Sequence, residues 1–223
     1  MEFTASLSFG KGYIAHPYWP SMERLINIQK ESGVNRVRSV ARRESALREY
    51  LESHGLTMDD YLNLENQSMR PFYTIADVLA QSQMDGLNPN EIVVPAHHMY
   101  GCLAQAADMA TSSIRIAVAE QLRSVLTIGD FRTARDQADG IWERYVVVKS
   151  GAGTTLSNQR AMRRNAYISN FTATGSVAFS GDILPDAEKV RKFIEFAGRE
   201  IGIGASRKLG WGRFIVSRWT ETT

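Results

Sequence analysis

Ile201-Gly202-Ile203-Gly204-Ala205-Ser206-Arg207-Lys208-Leu209-Gly210-Trp211-Gly212-Arg213-Phe214 decides how this chain is read. The stretch lies between a helical run and a strand-forming run. Before it, Val190, Phe193, Ile194 and Ala197 recur at helical spacing, which predicts a helix over about Asp186 to Ile201. After it, Phe214 and Val216 face away from Ile215, which predicts a last strand from Arg213 to Trp219. Four glycines in one connection are more than a helix C-cap requires. Glycine adopts positive φ and lets the chain approach a partner closely. Backbone N–H groups turned one way then form an anion-binding concavity. Arg207, Lys208 and Arg213 add positive charge, and Trp211 offers a ring on which a base can stack. This is no Walker A loop, because the Gly-Lys-Ser/Thr ending is missing, and no dinucleotide fingerprint, because that loop follows a strand and opens a helix.

Working outward, Phe3, Ala5, Leu7 and Phe9 alternate with Thr4, Ser6 and Ser8, the period of a half-buried strand. Helices are predicted from Met22 to Gln29, from Val34 to Ser53, and from Thr57 to about Asn66, the last opened by a Thr57/Asp60 capping box. Ile92-Val93-Val94 reads as a buried strand ended by Pro95, with a helix from His97 to about Met109 behind it. Ile114 to Leu122 reads as helix, and Val125 to Phe131 and Ile141 to Val148 as strands. Ser150 to Thr155 reads as a flexible loop, and Asn165 to Ser180 alternates again as a strand. Strands at both ends and in the middle, with helices between, predict a single α+β domain over 1–223, with a mostly helical insertion at about 21–85.

Composition bounds the rest. The chain has 223 residues, 43% hydrophobic and 22% charged, which excludes disordered, collagenous and coiled-coil readings. No apolar run of about 18 residues suggests a membrane span. The first ten residues lack the basic and apolar regions of a signal peptide. The single cysteine, Cys102, excludes an intrachain disulfide and a cysteine-based zinc cluster, so a reduced, cytoplasmic protein is expected. The net charge is only +2, but it is unevenly spread. Arg36, Arg38, Arg42, Arg43 and Arg48 cluster, and from Arg144 to Arg218 there are 13 Lys/Arg against 5 Asp/Glu. Such asymmetry is the footprint of a polyanion binder, with solvated helix faces as the plainer explanation.

The pattern Gly-apolar-Gly, five residues, Gly-apolar-Gly, then Arg-Phe opening the final strand, resembles the glycine-rich loop of the RAMP superfamily, the repeat-associated proteins of CRISPR systems. The helix Lys189 to Gly198 before it and the element Ile92-Val-Val-Pro-Ala-His-His-Met-Tyr-Gly-Cys-Leu-Ala-Gln-Ala106 are similar to Cas7-like members and to bacteriophage proteins of this length. The resemblance covers about 91–109 and 160–219. It implies a ferredoxin-like, RRM-related core. It also implies a non-catalytic protein that binds single-stranded RNA or DNA, RNA being favoured, without a cofactor or a metal. Assembly as a homo-oligomer or within a larger complex is implied as well. Carried onto this chain, the contacts fall on Gly202, Gly204, Arg207, Lys208, Gly210, Trp211, Gly212 and Arg213. A second group, Arg160, Arg163 and Arg164, is expected at a loop-to-strand entry before Tyr167.

Two alternatives compete. One is an endoribonuclease similar to Cas6-type members, which use a histidine as general acid or base. His16, just after the first strand, is the catalytic candidate for that reading, with His54, His97 and His98 less well placed. The resemblance also directs attention to a loop aspartate, where Asp77, Asp85 and Asp130 rank equally. The other alternative is an assembly protein that docks through its helical insertion and binds no nucleic acid.

Overall fold

The computed structural model describes residues 1–15, 19–37, 39–150 and 157–222, and within these the side chains of 20, 35, 146–150 and 157–161 lie outside the description. The chain runs β1 (Glu2–Phe9), α1 (Pro20–Glu31), α2 (Val40–Ser53), α3 (Met58–Met69), β2 (Tyr73–Thr74), α4 (Ile75–Val78) and β3 (Ile92–Val94). It continues through α5 (Ala96–Met109), α6 (Leu122–Val125), β4 (Leu126–Ile128), β5 (Phe131–Arg132), β6 (Gly140–Ser150), β7 (Ser157–Tyr167), β8 (Phe171–Phe179), α7 (Ala187–Glu200) and β9 (Ile215–Glu221).

These elements form two compact units, one of residues 1–16 and 72–223, the other of residues 17–71. In the larger unit the sheet order is β2-β3-β5-β8-β1-β9, with β4 also paired to β8, and every pairing is antiparallel. Taken in chain order, β1, α5, β4/β5, β8, α7 and β9 make a β-α-β-β-α-β core with β9 and β8 flanking β1. That is the ferredoxin-like arrangement. The α+β, ferredoxin-like core expected from the sequence is present.

The period-2 pattern sorts the two faces of this sheet. Phe3, Ala5, Leu7 and Phe9 of β1 are buried together with Phe171, Ala173, Val177 and Phe179 of β8. Met99, Cys102, Leu103, Ala106 and Ala107 of α5 and Val190, Phe193, Ile194 and Ala197 of α7 cover them. Phe9 stacks on Phe171 at 4.6 Å, and Phe3 lies between Phe179 at 5.5 Å and Trp219 at 4.8 Å. Truncating a side chain such as Leu7, fully buried, to alanine costs about 2–5 kcal/mol. The opposite face carries hydroxyls. Ser6 Oγ lies 3.1 Å from Thr174 Oγ1, and Ser8 Oγ lies 3.2 Å from Thr172 Oγ1 and donates to Ser217 Oγ at 2.8 Å.

Several boundaries differ from the sequence reading. Ile114 to Leu122 is not a helix but turns followed by a short 3-10 segment at Ala119–Gln121. Its Ile114, Ile116 and Ala117 pack on the core from an irregular backbone. The helix expected from Val34 begins only at Val40, after a 3-10 turn at Val34–Arg36. The strand expected over 125–131 is split at Gly129-Asp130 into β4 and β5. Residues 140–150 and 157–167 form a separate two-stranded ribbon, β6–β7, in register from Gly140↔Tyr167 to Ser150↔Ser157. The expected loop at 150–155 falls largely outside the described residues.

In the smaller unit, α1, α2 and α3 bury Leu25, Ile28, Leu51 and Tyr61 around one small core. The Thr57/Asp60 capping box opens α3: Thr57 Oγ1 accepts from Asp60 N at 3.1 Å, and Thr57 N donates to Asp60 Oδ2 at 2.9 Å. Only Leu51 of α2 is buried, and Arg42, Arg43 and Arg48 are exposed, Arg48 paired with Glu44 at 2.9 Å.

Candidate nucleic-acid interface

α7 ends where Ile201 N and Gly202 N both donate to Ala197 O at 2.9 Å. The glycine loop then lies across the segment leaving β1. Ala205 N donates to Ile14 O at 2.7 Å, Gly212 N to Gly12 O at 2.7 Å, and Ile203 N to Gly212 O at 2.9 Å. Gly204 and Gly212 hold positive φ, and a Cβ there would lie 2.3 Å from Ile14 O and 1.8 Å from Ile203 O. Glycine is required because backbones cross at contact distance. The N–H groups of Gly202, Ile203, Ala205, Leu209, Gly210 and Gly212 all end on protein carbonyls. The anion concavity expected of these glycines is therefore largely replaced by a self-bonded scaffold that fixes the loop's cations.

Trp211 also turns inward. It is 5% exposed, with Trp142 and Tyr167 at ring distances of 5.4 and 5.2 Å and Lys11 Nζ 5.4 Å above its ring. The sequence suggests an open stacking face. The structure instead uses this ring to join the root of the β6–β7 ribbon to the loop. Neither Trp142, Tyr167 nor Lys11 stands out in the sequence, because only the topology brings them to the loop.

The loop's cations point in different directions. Arg213 Nη1 donates to Arg199 O at 2.6 Å, and Arg213, Arg199 and Lys11 line one groove of about 570 Å³. Phe9, Phe171, Phe214 and Ile215 give the groove an apolar lining, and Ser8, Asn170 and Thr172 add polar groups. Among the described residues, no carboxylate lines it. Lys11 also donates to Leu209 O at 2.5 Å, which ties it to the loop, and Arg199 Nε lies 2.8 Å from Glu200. Lys208 is exposed and joins no ion pair among the described residues. Arg207 turns toward α5, where its Nη1 donates to Gln105 Oε1 at 3.1 Å.

Arg163 and Arg164 are not at a loop entry. They lie within β7, opposite Arg144 and Glu143. Arg164 pairs with Glu143 at 2.6 Å. Arg163 faces Arg144, a like-charge pair that is unfavourable across strands until an anion joins it. Both share the ribbon face of Trp142, and Arg144 lies 5.1 Å over that ring. The side chain of Arg160 lies outside the described residues, as does His16.

The remaining chemistry-bearing residues gather at the start of α5. Asp130 Oδ1 accepts from Ala96 N at 2.7 Å and so caps α5, while Asp77 Oδ2 accepts from Thr74 N at 2.9 Å at the start of α4. Both line a cavity of about 450 Å³ with Tyr73, His97, Tyr100 and Arg123. Burial lowers the His97 pKa, Asp130 opposes this, and Arg123 adds to it. His98 Nδ1 meets the hydroxyl of Tyr13 at 2.7 Å. Burial first, and Tyr73 second, hold the Tyr13 phenol well above its usual range. Cys102 is 1% exposed, and burial pushes its thiol up to about 12 against the opposing pull of Arg207, the Gly202 N–H and Arg213. A thiol so protonated is a core group and not a nucleophile. Among the described residues, no helix is long and apolar enough to cross a membrane.

No family model and no curated protein matches the chain. Among solved structures, it is similar to a chain of the Type III-B Cmr-beta bound to cognate target RNA, with TM-score 0.44 and 7% identity. That superposition covers 98% of this chain and 59% of that chain, so this chain spans about three fifths of its neighbour's length. It is also similar to Cmr6 from Pyrococcus furiosus, with TM-score 0.34, 10% identity and 97% and 98% coverage of the two chains. The fold rests on the strand order itself.

Proposed function

We propose that the protein binds single-stranded nucleic acid, RNA in preference to DNA, without cleaving it. The observation that carries this reading is the groove at the end of β1. Three cations, Lys11, Arg199 and Arg213, stand over an apolar floor with no carboxylate in the lining among the described residues. Cations track a phosphate backbone independently of sequence, and an apolar floor takes base faces. Ser8, Thr172 and Asn170 supply the groups that could recognise a ribose 2′-hydroxyl. Lys208 and the Arg144–Arg163 pair on the ribbon extend the basic surface. In this reading the loop glycines and Trp211 hold the surface in place and do not themselves contact the strand. The family resemblance adds assembly along the strand, or membership of a larger complex, to the proposal.

Fluorescence anisotropy with single-stranded RNA and DNA of equal length, at low and at moderate salt, tests this. Binding should favour RNA and weaken steeply as salt rises. Absent binding at low salt, or binding indifferent to salt, would refute it.

A further inference from the structure

The cavity of about 450 Å³ at the start of α5 has the size of a small-molecule site. Three of its lining residues, Tyr73, His97 and Tyr100, carry rings. These rings are held in place. The Tyr100 hydroxyl donates to Leu126 O at 2.7 Å and accepts from Ile128 N at 3.1 Å, and Tyr73 meets His97 edge to face at 5.5 Å.

Two opposite charges line the same cavity without meeting. Asp130 accepts from Ala96 N through Oδ1, and its Oδ2 takes no hydrogen bond among the described residues. Arg123 is exposed and lies 5.1 Å over the Tyr100 ring, with no hydrogen bond or ion pair among the described residues. His97 feels both charges, Asp130 raising its pKa and Arg123 lowering it. Asp77, also in the lining, is engaged by Thr74 N and Thr74 Oγ1. Opposite charges in one cavity gain by pairing. Here they stand apart, so an acceptor and a fork of donors are both presented to the space.

We propose that this cavity binds a guanine base, with Asp130 accepting from its N1–H and 2-amino groups, Arg123 donating to its O6 and N7, and the rings of His97 and Tyr100 as walls. Guanine carries neighbouring donors on one edge and neighbouring acceptors on the next. A carboxylate matches the first edge and a guanidinium fork the second. The base can belong to a bound strand or to a free nucleotide, and the site does not use the groove at the end of β1.

The test titrates guanosine, inosine, adenosine, cytidine and uridine 5′-monophosphates at matched ionic strength and follows the His97 imidazole signals by NMR. These ligands share ribose and phosphate, so a difference among them reports the base. Guanosine monophosphate should give a saturable shift and bind at least tenfold more tightly than the adenosine, cytidine and uridine nucleotides. Inosine monophosphate lacks the 2-amino group and should bind more weakly than guanosine monophosphate. Asp130→Asn keeps an oxygen for Ala96 N, so α5 stays capped, but it loses the carboxylate. Arg123→Gln removes the guanidinium from an exposed position. Each should weaken guanosine monophosphate at least tenfold while the remaining spectrum stays native, and Asp130→Asn should bind the guanosine and inosine nucleotides alike. No saturable shift in the wild type, equal binding of all five nucleotides, or wild-type affinity in both variants overturns the proposal. If Asp130→Asn fails to fold, Arg123→Gln and the comparison of bases on the wild type decide it. Single-stranded RNA with one guanine among uridines that shifts His97, where all-uridine RNA of equal length does not, assigns the site to a strand base. Shifts with the mononucleotide alone assign it to a free nucleotide. Anisotropy with all-uridine RNA, unchanged in Asp130→Asn, separates this site from strand binding in the groove.

Discussion

Gly212→Ala and Gly210→Ala form a pair that separates scaffold from surface in the glycine loop. Both residues hold positive φ, so each alanine pays the left-handed penalty of about 1–2 kcal/mol. At Gly210 the new methyl would meet only the flexible Lys11 side chain, at 3.7 Å. At Gly212 it would lie 1.8 Å from Ile203 O, so the two strands of the loop must part by more than an ångström. That breaks the bonds from Ile203 N to Gly212 O and from Gly212 N to Gly12 O, each worth about 0.5–1.5 kcal/mol. The sum for Gly212→Ala is about 2–5 kcal/mol, against about 1–2 kcal/mol for Gly210→Ala. For a chain of this size about 1 kcal/mol moves Tm by roughly 2–4 °C. Thermal unfolding followed by circular dichroism should therefore show Gly210→Ala a few degrees below wild type and Gly212→Ala lower by roughly 4 °C or more, and further than Gly210→Ala. Equal, small shifts for both variants would refute the claim that these glycines serve a backbone crossing.

Arg132→Ala should lower Tm measurably, because Glu91 is 5% exposed and, among the described residues, its carboxylate would keep the Ala134 N–H at 2.9 Å after losing Arg132 Nη2 at 2.6 Å. The Arg132 side chain is 47% exposed, so solvent screening brings the cost to about 1–3 kcal/mol. Cys102 makes a pH prediction. Its folded thiol stays protonated to about 12, above the ordinary value of 9.0, so the folded state binds the extra proton between those values. Stability is then complete below about pH 9 and falls as pH rises toward 12. Urea midpoints should decline over that window, and less steeply in Cys102→Ala. An identical decline in the two proteins would remove the thiol from the account.

The parts of this fold that periodicity can express were legible. β1 shows in the alternation of Phe3, Ala5, Leu7 and Phe9, and α7 in Val190, Phe193, Ile194 and Ala197, because each element buries one face. Elements shaped by distant contacts were not. Gly129-Asp130 interrupts a strand because Asp130 turns to cap α5, 34 residues earlier. The alternation from Asn165 to Ser180 conceals a turn at Ser169-Asn170, where Asn170 takes positive φ and Ile168 bridges to Tyr13. Of the candidate site, Arg213 was visible in the loop, but Lys11 and Arg199 were not. Lys11 meets it because β8 and β9 run antiparallel to β1, which places the end of β1 beside the starts of both, and Arg199 because the last turn of α7 comes back to Arg213. The inward turn of Trp211 was equally hidden, since its partners Trp142 and Tyr167 belong to a ribbon 69 and 44 residues earlier in sequence.

The most direct measurement is the salt dependence of single-stranded RNA binding by wild type and by a Lys11→Gln/Arg199→Gln/Arg213→Gln variant. Each neutralised phosphate on a single strand contributes about 0.7 to the slope of log affinity against log salt. If these three side chains meet phosphates, the variant's slope should be shallower by about 2. An unchanged slope in a natively folded variant would show that the strand, if bound, lies elsewhere.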